Sequence, residues 1–193
     1  NEDLDPDRSR PEFADAMMED LRWFGFAWQE GPDCGGPFGP YDQSRRSEWY
    51  RSAFEQLKAG GWVYPCTCSR KEVQRALQAP HLGDEEPVYP GTCRPALSPT
   101  SGVQDPKSPT RRVNWRFQVP DGEAIGFVDG RQGPQAFVAR QDFGDFVVWR
   151  HDGVPSYQLA VVVDDAAMKI TEVVRGVDLL VSTARQLLLY RAL

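Results

Sequence analysis

The chain has 193 residues, of which 40% are apolar and 26% charged, a balance typical of a globular protein rather than a disordered one. Acidic residues outnumber basic ones by 28 to 22, which excludes a protein that coats nucleic acid with overall positive charge. No apolar run is long enough to span a membrane, and the acidic first residues are unlike a signal peptide. We therefore expect a cytoplasmic protein without a membrane partner.

The first predicted helix follows the Ser-Arg-Pro-Glu sequence at 9–12, which is a capping box with Ser9 as the N-cap. Four apolar residues then recur at helical spacing and form one face: Phe13, Met17, Leu21 and Phe24. Gly25 is a suitable stop, because glycine readily adopts the left-handed conformation that ends helices.

A second helix is predicted over 44–59, with Tyr50, Phe54 and Leu57 facing inward and two glycines at 60–61 ending it. The Ser-Arg-Lys-Glu sequence at 69–72 is another capping box and predicts a short helix that ends near residue 77.

The composition changes over 79–110, where Pro, Gly, Ser and Thr dominate and apolar periodicity disappears, so this stretch needs a staple to be ordered. Apolar and polar residues then alternate over 113–119, which predicts a half-buried strand. Shorter strands are predicted at 124–128, 136–139 and 145–149, with a turn at 151–153.

The last third of the chain is again apolar and regular. The run at 157–163 is closed by Asp164 and Asp165, which we expect to cap and orient neighbouring backbone rather than to bind magnesium. A strand buried on both faces is predicted at 170–174, and Ser182 is the predicted cap of the final helix. This order of elements suggests an α/β, doubly wound domain interrupted by a small β-rich module.

Three of the four cysteines lie near the irregular stretch: Cys66, Cys68 and Cys93. Clustered cysteines without a secretory signal are more often metal ligands than disulfides, and zinc prefers four tetrahedral ligands. On spacing alone, His81 would be the fourth ligand. Ordinary reduced thiols are the alternative, and spacing alone leaves both open.

Several segments together resemble the glutamyl-tRNA synthetases, which are class I aminoacyl-tRNA synthetases. These are Glu-Asp-Leu-Asp at 2–5, Gln-Ser-Arg at 43–45, Cys-Thr-Cys at 66–68 with Tyr-Pro-Gly-Thr-Cys at 89–93, and the long matches at 145–165 and 170–186. The resemblance implies a Rossmann-type catalytic domain with a zinc-stapled insertion. It divides the chain into a first catalytic part at 1–65, a zinc-binding and acceptor-binding-like part at 66–144, and a second catalytic part at 145–193.

The family activates glutamate with ATP and magnesium and transfers it to RNA. Its two ATP-phosphate motifs would fall before residue 1 and after residue 193, so we expect a chain truncated at both ends and inactive by itself. The resemblance also replaces His81 in the zinc set, which becomes Cys66, Cys68, Tyr89 and Cys93.

The resemblance implies three glutamate contacts. Arg175 would bind a carboxylate through its planar guanidinium, Tyr157 would hydrogen-bond to the substrate, and Glu2 would bind the ammonium group. The alternatives are a surface salt bridge for Arg175, a core aromatic for Tyr157 and an ordinary terminal acid for Glu2.

Two elements favour one branch of the family. Tyr-Gln-Leu-Ala at 157–160 and Arg-Gly-Val-Asp-Leu-Leu at 175–180 resemble the shorter paralogues, which charge queuosine in the anticodon of tRNA(Asp). The implied partners are L-glutamate, ATP and queuosine-containing tRNA(Asp), with the protein a monomer. The alternatives are the catalytic core of a true glutamyl-tRNA synthetase and a non-catalytic, zinc-stapled RNA-binding module.

Several basic residues are candidate phosphate contacts, with solvated surface charge as the alternative. They are Arg45, Arg46, Arg51, Lys107, Arg111, Arg112 and Arg116.

Overall fold

The computed structural model describes residues 1–5, 9–69, 72–73, 88–95 and 112–193. The helices are α1 (Pro11–Trp23), α2 (Ser47–Ala59), α3 (Tyr157–Ala167) and α4 (Leu180–Ala192), with 3-10 turns at Gln43–Arg46 and Val177–Leu179. The strands are β1 (Val63–Cys66), β2 (Asn114–Phe117), β3 (Ala124–Asp129), β4 (Gly133–Val138) and β5 (Phe146–Trp149). Among these described helices, none has the length and apolar character needed to cross a bilayer.

The predicted ends of α1 and α2 are confirmed, and their physical cause is visible. In α2, the N–H of Gly61 bonds to the Lys58 carbonyl and the N–H of Trp62 bonds to the Leu57 carbonyl, with Gly61 at φ +72°. This is a Schellman closure, which requires a left-handed residue that glycine adopts without strain. Gly25 closes α1 in the same way.

The second capping box is also confirmed. The N–H of Ser69 donates to the Glu72 carboxylate at 2.6 Å, and the N–H of Glu72 donates to the Ser69 hydroxyl at 3.2 Å. The remainder of that predicted helix lies outside the described residues.

The described strands form two antiparallel groups. A three-stranded sheet has the order β1-β2-β5, and β3 pairs with β4 as a hairpin. A parallel, doubly wound sheet is therefore not formed by these strands. The three-stranded sheet takes its strands from the regions around residues 65, 115 and 147, so it crosses the predicted boundaries at 66 and 145. The three-part division stays a prediction.

The main core lies between α2, the three-stranded sheet, α3 and α4. Phe54 of α2 stacks on Trp149 of β5 with ring centroids 4.8 Å apart, and it meets Trp115 of β2 edge to face at 5.5 Å. Burial of a large side chain of this kind stabilises the fold by ~1.5–3 kcal/mol. Leu159 and Ala160 of α3 are buried in the same core, so the start of α3 is held against the sheet.

The predicted start and packing of α1 differ from the structure. The helix begins at Pro11 with Arg10 as N-cap, and no side chain caps it, so the capping role of Ser9 is wrong. Proline at the first helical position supplies the required φ without a cap. The apolar face of α1 is exposed among the described residues, with Phe13 58% and Phe24 69% accessible.

Three predictions for the last third of the chain are corrected. Residues 170–174 belong to no helix or strand and form no ladder with any described strand, and Val174 is 99% exposed. Asp164 and Asp165 lie inside α3 instead of closing it. Ser182 lies inside α4, because the helix follows directly on the 3-10 turn at Val177–Leu179 and so starts three residues earlier than a cap at Ser182 predicts.

Candidate functional site

The three predicted cysteine ligands converge. Cys66 ends β1, Cys68 follows it, and Cys93 comes from the separate segment at 88–95. Their sulfurs all lie within 4.8 Å of one another, with Cys68 Sγ and Cys93 Sγ 3.5 Å apart. The Tyr89 hydroxyl lies 3.4 Å from Cys66 Sγ and 3.6 Å from Cys68 Sγ. The structure therefore brings together all four residues of the predicted zinc set.

The spacing of these atoms fits tetrahedral zinc. With Zn–S bonds of about 2.3 Å and a Zn–O bond of about 2.0 Å, tetrahedral angles separate two sulfurs by about 3.8 Å and a sulfur from an oxygen by about 3.5 Å. The Cys68–Cys93 separation and the two distances to the Tyr89 oxygen are close to these values, and the three sulfurs all lie within 4.8 Å of one another. His81, the alternative ligand, lies outside the described residues.

The protonation of this cluster is set by burial and by neighbouring donors. Burial raises the pKa of the Cys68 thiol to about 11 and, with the hydrogen bonds to Cys66 and Cys68, raises the pKa of Tyr89 above its usual range. Burial acts in the same sense on Cys93, but hydrogen bonds from the Thr67 backbone and the Cys68 thiol outweigh it and lower its pKa to about 7. A metal that binds here displaces the remaining protons.

Arg116 supports the cysteine cluster from β2. Its Nε donates to Cys66 Sγ at 3.3 Å, and its guanidinium lies 4.0 Å from the centre of the Tyr89 ring. These contacts join the end of β1 to the segment that carries Tyr89 through one side chain of β2. This contact accounts for Arg116, which the sequence offered as a phosphate contact.

Asp145 anchors the segment that carries Cys93, a role that the sequence analysis did not predict. It is 2% exposed and accepts hydrogen bonds from Arg94 Nη1 at 2.6 Å, from the Tyr64 hydroxyl at 2.6 Å and from the Val119 N–H at 3.0 Å. The neighbour of Cys93 is thereby fixed to the strand that ends in Cys66. The one feature of the sequence that could have indicated this role is an aspartate directly before the apolar run at 146–149.

Arg175 lines an open cleft of about 990 Å³ between the β3-β4 turn, the segment at 170–176 and α4. Its Nη1 donates to Gln186 Oε1 at 2.9 Å and its Nη2 donates to Thr183 Oγ1 at 2.5 Å. Two of the five guanidinium N–H groups are thus used, and among the described residues no hydrogen-bond acceptor is found for the other three.

The other two predicted glutamate contacts are not among the residues that line this cleft. Tyr157 is the first residue of α3 and is partly buried. Glu2 is exposed, in a segment held by a hydrogen bond from the Gln43 N–H to the Asn1 carbonyl at 3.1 Å. Among the described residues, no hydrogen bond or ion pair joins Glu2, Tyr157 and Arg175 to one another. Their roles stay predictions.

A buried polar cluster around Asp164 was not predicted. Asp164 accepts hydrogen bonds from Arg46 Nε at 2.6 Å, from Gln43 Nε2 at 2.9 Å and from the Tyr50 hydroxyl at 2.9 Å. Its expected backbone-capping role is wrong, because these partners are side chains. Arg46 is 1% exposed, so it is not a surface phosphate contact. The available signal was the three-residue spacing of Gln43 and Arg46, which places both side chains on one side of a helical turn.

Five predicted phosphate contacts remain. Three of them are exposed: Arg45, Arg51 and Arg112. The other two, Lys107 and Arg111, lie outside the described residues.

Known proteins match the whole chain. The sequence profile described as tRNA synthetases class I (E and Q), catalytic domain, matches residues 1–193. Two curated relatives named glutamyl-Q tRNA(Asp) synthetase, from Symbiobacterium thermophilum and Nitratidesulfovibrio vulgaris, are 54% and 51% identical over 100% of this chain. The chain spans 58% of the length of each. The glutamate–tRNA ligase 1 of Halorhodospira halophila is 43% identical over the same extent and is covered to 40%.

Solved structures give the same result. The crystal structure of a glutamate tRNA ligase from Elizabethkingia meningosepticum in complex with its amino acid superposes with a TM-score of 0.79 and 30% identity. The match covers 99% of this chain and 39% of that one. The α/β fold is therefore that of the glutamyl-tRNA synthetase catalytic domain, and the chain belongs to the family of class I tRNA synthetases for glutamate and glutamine.

Proposed function

We propose that the protein activates glutamate with ATP and transfers the glutamyl group to queuosine in the anticodon of tRNA(Asp). The observation that carries this proposal is the identity of 54% and 51% to two proteins named for that reaction, against 43% to the glutamate–tRNA ligase. Gln158, Leu159 and the Asp-Leu-Leu sequence at 178–180 support the same branch. In this proposal, the domain that carries out the reaction is of the Rossmann type and holds a zinc-stapled insertion.

In this proposal, the chemistry is an acyl activation followed by an acyl transfer. The glutamate α-carboxylate attacks the α-phosphorus of ATP, pyrophosphate leaves, and a mixed anhydride with AMP forms. A hydroxyl of the queuosine diol then attacks the carbonyl carbon and AMP leaves. Such steps depend on positioning and on charge stabilisation.

This chain's own residues bind and orient the amino acid. Arg175 presents free N–H groups to the cleft and binds a carboxylate as a planar fork. Tyr157 hydrogen-bonds to the substrate, and Glu2 binds its ammonium group. These assignments rest on the family resemblance of the motifs that contain them.

Zinc held by Cys66, Cys68, Tyr89 and Cys93 has a structural role in this proposal. It joins the end of β1 to the segment at 88–95, beside a small apolar cluster to which the segment contributes only Tyr89: Tyr64, Cys66, Val73 and Tyr89. A core this small supplies little hydrophobic stabilisation, so metal binding provides folding free energy for the insertion.

The test is the transfer of labelled glutamate by the whole protein, whatever precedes or follows residues 1–193. Three RNAs are compared: tRNA(Asp) with queuosine, tRNA(Asp) with guanosine at that position, and tRNA(Glu). We expect labelling of the first alone. Efficient labelling of tRNA(Glu) would identify a true glutamyl-tRNA synthetase, and RNA binding without glutamate-dependent ATP–pyrophosphate exchange would identify a non-catalytic module.

A further inference from the structure

A continuous chain of hydrogen bonds connects Arg175 to α3. Arg175 Nη1 donates to Gln186 Oε1 at 2.9 Å, Gln186 Nε2 donates to Gln158 Oε1 at 3.1 Å, and Gln158 Nε2 donates to Ser182 Oγ at 2.9 Å. Gln186 and Ser182 are buried, and Gln158 is partly buried. The chain crosses from α4 to α3 and back to α4, and its α3 member is the residue after Tyr157.

The direction of every bond in this chain follows from the chemistry of Arg175. A guanidinium only donates hydrogen bonds, so the Gln186 amide must turn its oxygen toward Arg175. Its NH₂ group then faces Gln158, whose amide must present its oxygen in turn. The Gln158 NH₂ group is left to donate to Ser182, whose hydroxyl accepts. A flip of either amide in isolation would set two donors or two acceptors against each other in a buried place.

We propose that Gln186 and Gln158 are positioning residues that hold the Arg175 guanidinium in one orientation for a substrate carboxylate and connect it to the α3 turn that carries Tyr157. The proposal rests on the proposed function, because it takes glutamate as the ligand of Arg175. It adds two residues to which the family resemblance gave no role in binding.

Competing carboxylates explain why the guanidinium needs such a restraint. Asp129 at the tip of the β3-β4 hairpin and Asp165 of α3 line the same cleft as Arg175. The positive charge of Arg175 reaches both, although burial and Asp164 keep the pKa of Asp165 above its usual value. A guanidinium released from Gln186 would keep only its bond to the Thr183 hydroxyl and could turn about that bond toward these acids. The hydrogen-bonded amides of Gln186 and Gln158, called the amide relay below, keep the free N–H groups of Arg175 available to the ligand.

The first experiment measures glutamate-dependent ATP–pyrophosphate exchange by the whole protein carrying Gln186→Leu. Leucine has nearly the same volume but neither donates nor accepts, so Arg175 and Gln158 both lose a partner. We expect the KM for glutamate to rise about tenfold or more, as for loss of one buried hydrogen-bond partner, with the KM for ATP unchanged. The matched control is Gln141→Leu in an exposed turn, which should leave both constants unchanged.

The conservative variant Gln186→Glu provides a rescue. Its carboxylate still accepts from Arg175, and the Gln158 amide can flip to donate to it, because the Ser182 hydroxyl donates as well as accepts. We expect the KM for glutamate to stay within about threefold of wild type. A KM as high as that of Gln186→Leu would contradict the relay.

The decisive comparison repeats Gln186→Leu in an Arg175→Lys background, whose ammonium lacks the guanidinium fork. If Gln186 acts through Arg175, the second change raises the KM for glutamate little further. An equal fold increase in both backgrounds, or a parallel rise in the KM for ATP, would show a general structural effect and overturn the proposal.

A fourth measurement separates this proposal from the proposed function. Absence of glutamate-dependent exchange in wild type would overturn the proposed function and, with it, the role in glutamate binding. The melting temperatures of the two single variants and the double variant then report on the relay itself. Additive losses would show that no coupling joins Gln186 to Arg175, whereas a smaller combined loss would show that it does.

Discussion

Arg46 and Asp164 form an ion pair in the interior, with Nε and Oδ1 2.6 Å apart. The two residues are 1% and 8% exposed. The pair connects the 3-10 turn before α2 to the middle of α3. Arg46 also donates from Nη1 to the carbonyls of Phe38 and Pro40, at 3.3 and 3.0 Å. One guanidinium thus fixes a helix and a loop to each other.

Asp164→Asn tests the energetic weight of this pair. The amide keeps the volume but leaves the Arg46 charge buried without a counter-charge, which costs about 3–5 kcal/mol in comparable sites. We expect a corresponding loss of unfolding free energy in urea titrations. The matched control is Glu123→Gln, which removes a half-exposed pair with Arg191 at 2.7 Å and should cost about 0.5 kcal/mol. Equal losses in the two variants would contradict the assigned weight.

Zinc content is the second prediction. Elemental analysis of freshly purified, unchelated protein should find about one zinc per chain, the stoichiometry expected of a four-ligand site. Cys68→Ser and Cys93→Ser should lower zinc retention, since each removes a sulfur of the cluster. Cys34→Ser is the control, because this exposed thiol lies outside the cluster and should leave the zinc content unchanged.

The identity of the fourth ligand requires its own pair of variants. Tyr89→Phe should weaken zinc retention because it removes the oxygen 3.4 Å from Cys66 Sγ, and His81→Ala should not. Full zinc in Tyr89→Phe together with loss in His81→Ala would restore histidine as the ligand. Absence of zinc from the wild-type protein and from both variants would show that the cluster is not a zinc site.

Local patterns were sufficient where a helix or turn depends on near neighbours in the sequence. The spacing of Tyr50, Phe54 and Leu57 predicted the buried face of α2, and the following glycines predicted its end. The Ser69 capping box involves only a four-residue span and formed as expected. The cysteine cluster was found because thiols near a segment without a core of its own have few other roles.

Apart from the Ser9 and Ser182 caps, which are local, the errors occur where distant contacts decide the structure. The β-branched run at 170–174 favours a strand locally, but a strand needs a partner whose position the run itself does not encode. Asp164 finds Arg46 at a separation of 118 residues, which no local pattern reveals. The Gln158–Gln186 relay was missed because neutral amides carry no charge pattern, and their roles depend on the packing of two helices.

Arg175→Ala tests the proposed carboxylate contact. The variant leaves the substrate carboxylate without its counter-charge, so kcat/KM for glutamate in pyrophosphate exchange should fall by ~2–5 kcal/mol of transition-state stabilisation. Arg150→Ala is the control, because Arg150 is a surface residue paired with Asp152. Exchange that persists in Arg175→Ala at the glutamate concentrations used for wild type would show that another residue binds the carboxylate.

Asp145 provides the last prediction, because it joins the cysteine cluster to the sheet without being a ligand. Asp145→Asn keeps the side-chain volume but replaces one acceptor oxygen by an NH₂ group, which faces either Arg94 or the Tyr64 hydroxyl. Arg94 retains a second carboxylate, that of Asp121 at 3.0 Å, so the expected loss of unfolding free energy is about 1–3 kcal/mol rather than that of an unpaired buried charge.

Zinc should also leave faster in the presence of a chelator, since the backbone beside Cys93 is less firmly held. Asp121→Asn, which leaves the Arg94–Asp145 bond intact at an exposed position, should change neither quantity appreciably. Unchanged zinc release in Asp145→Asn would mean that the ligands hold the segment without help from Asp145.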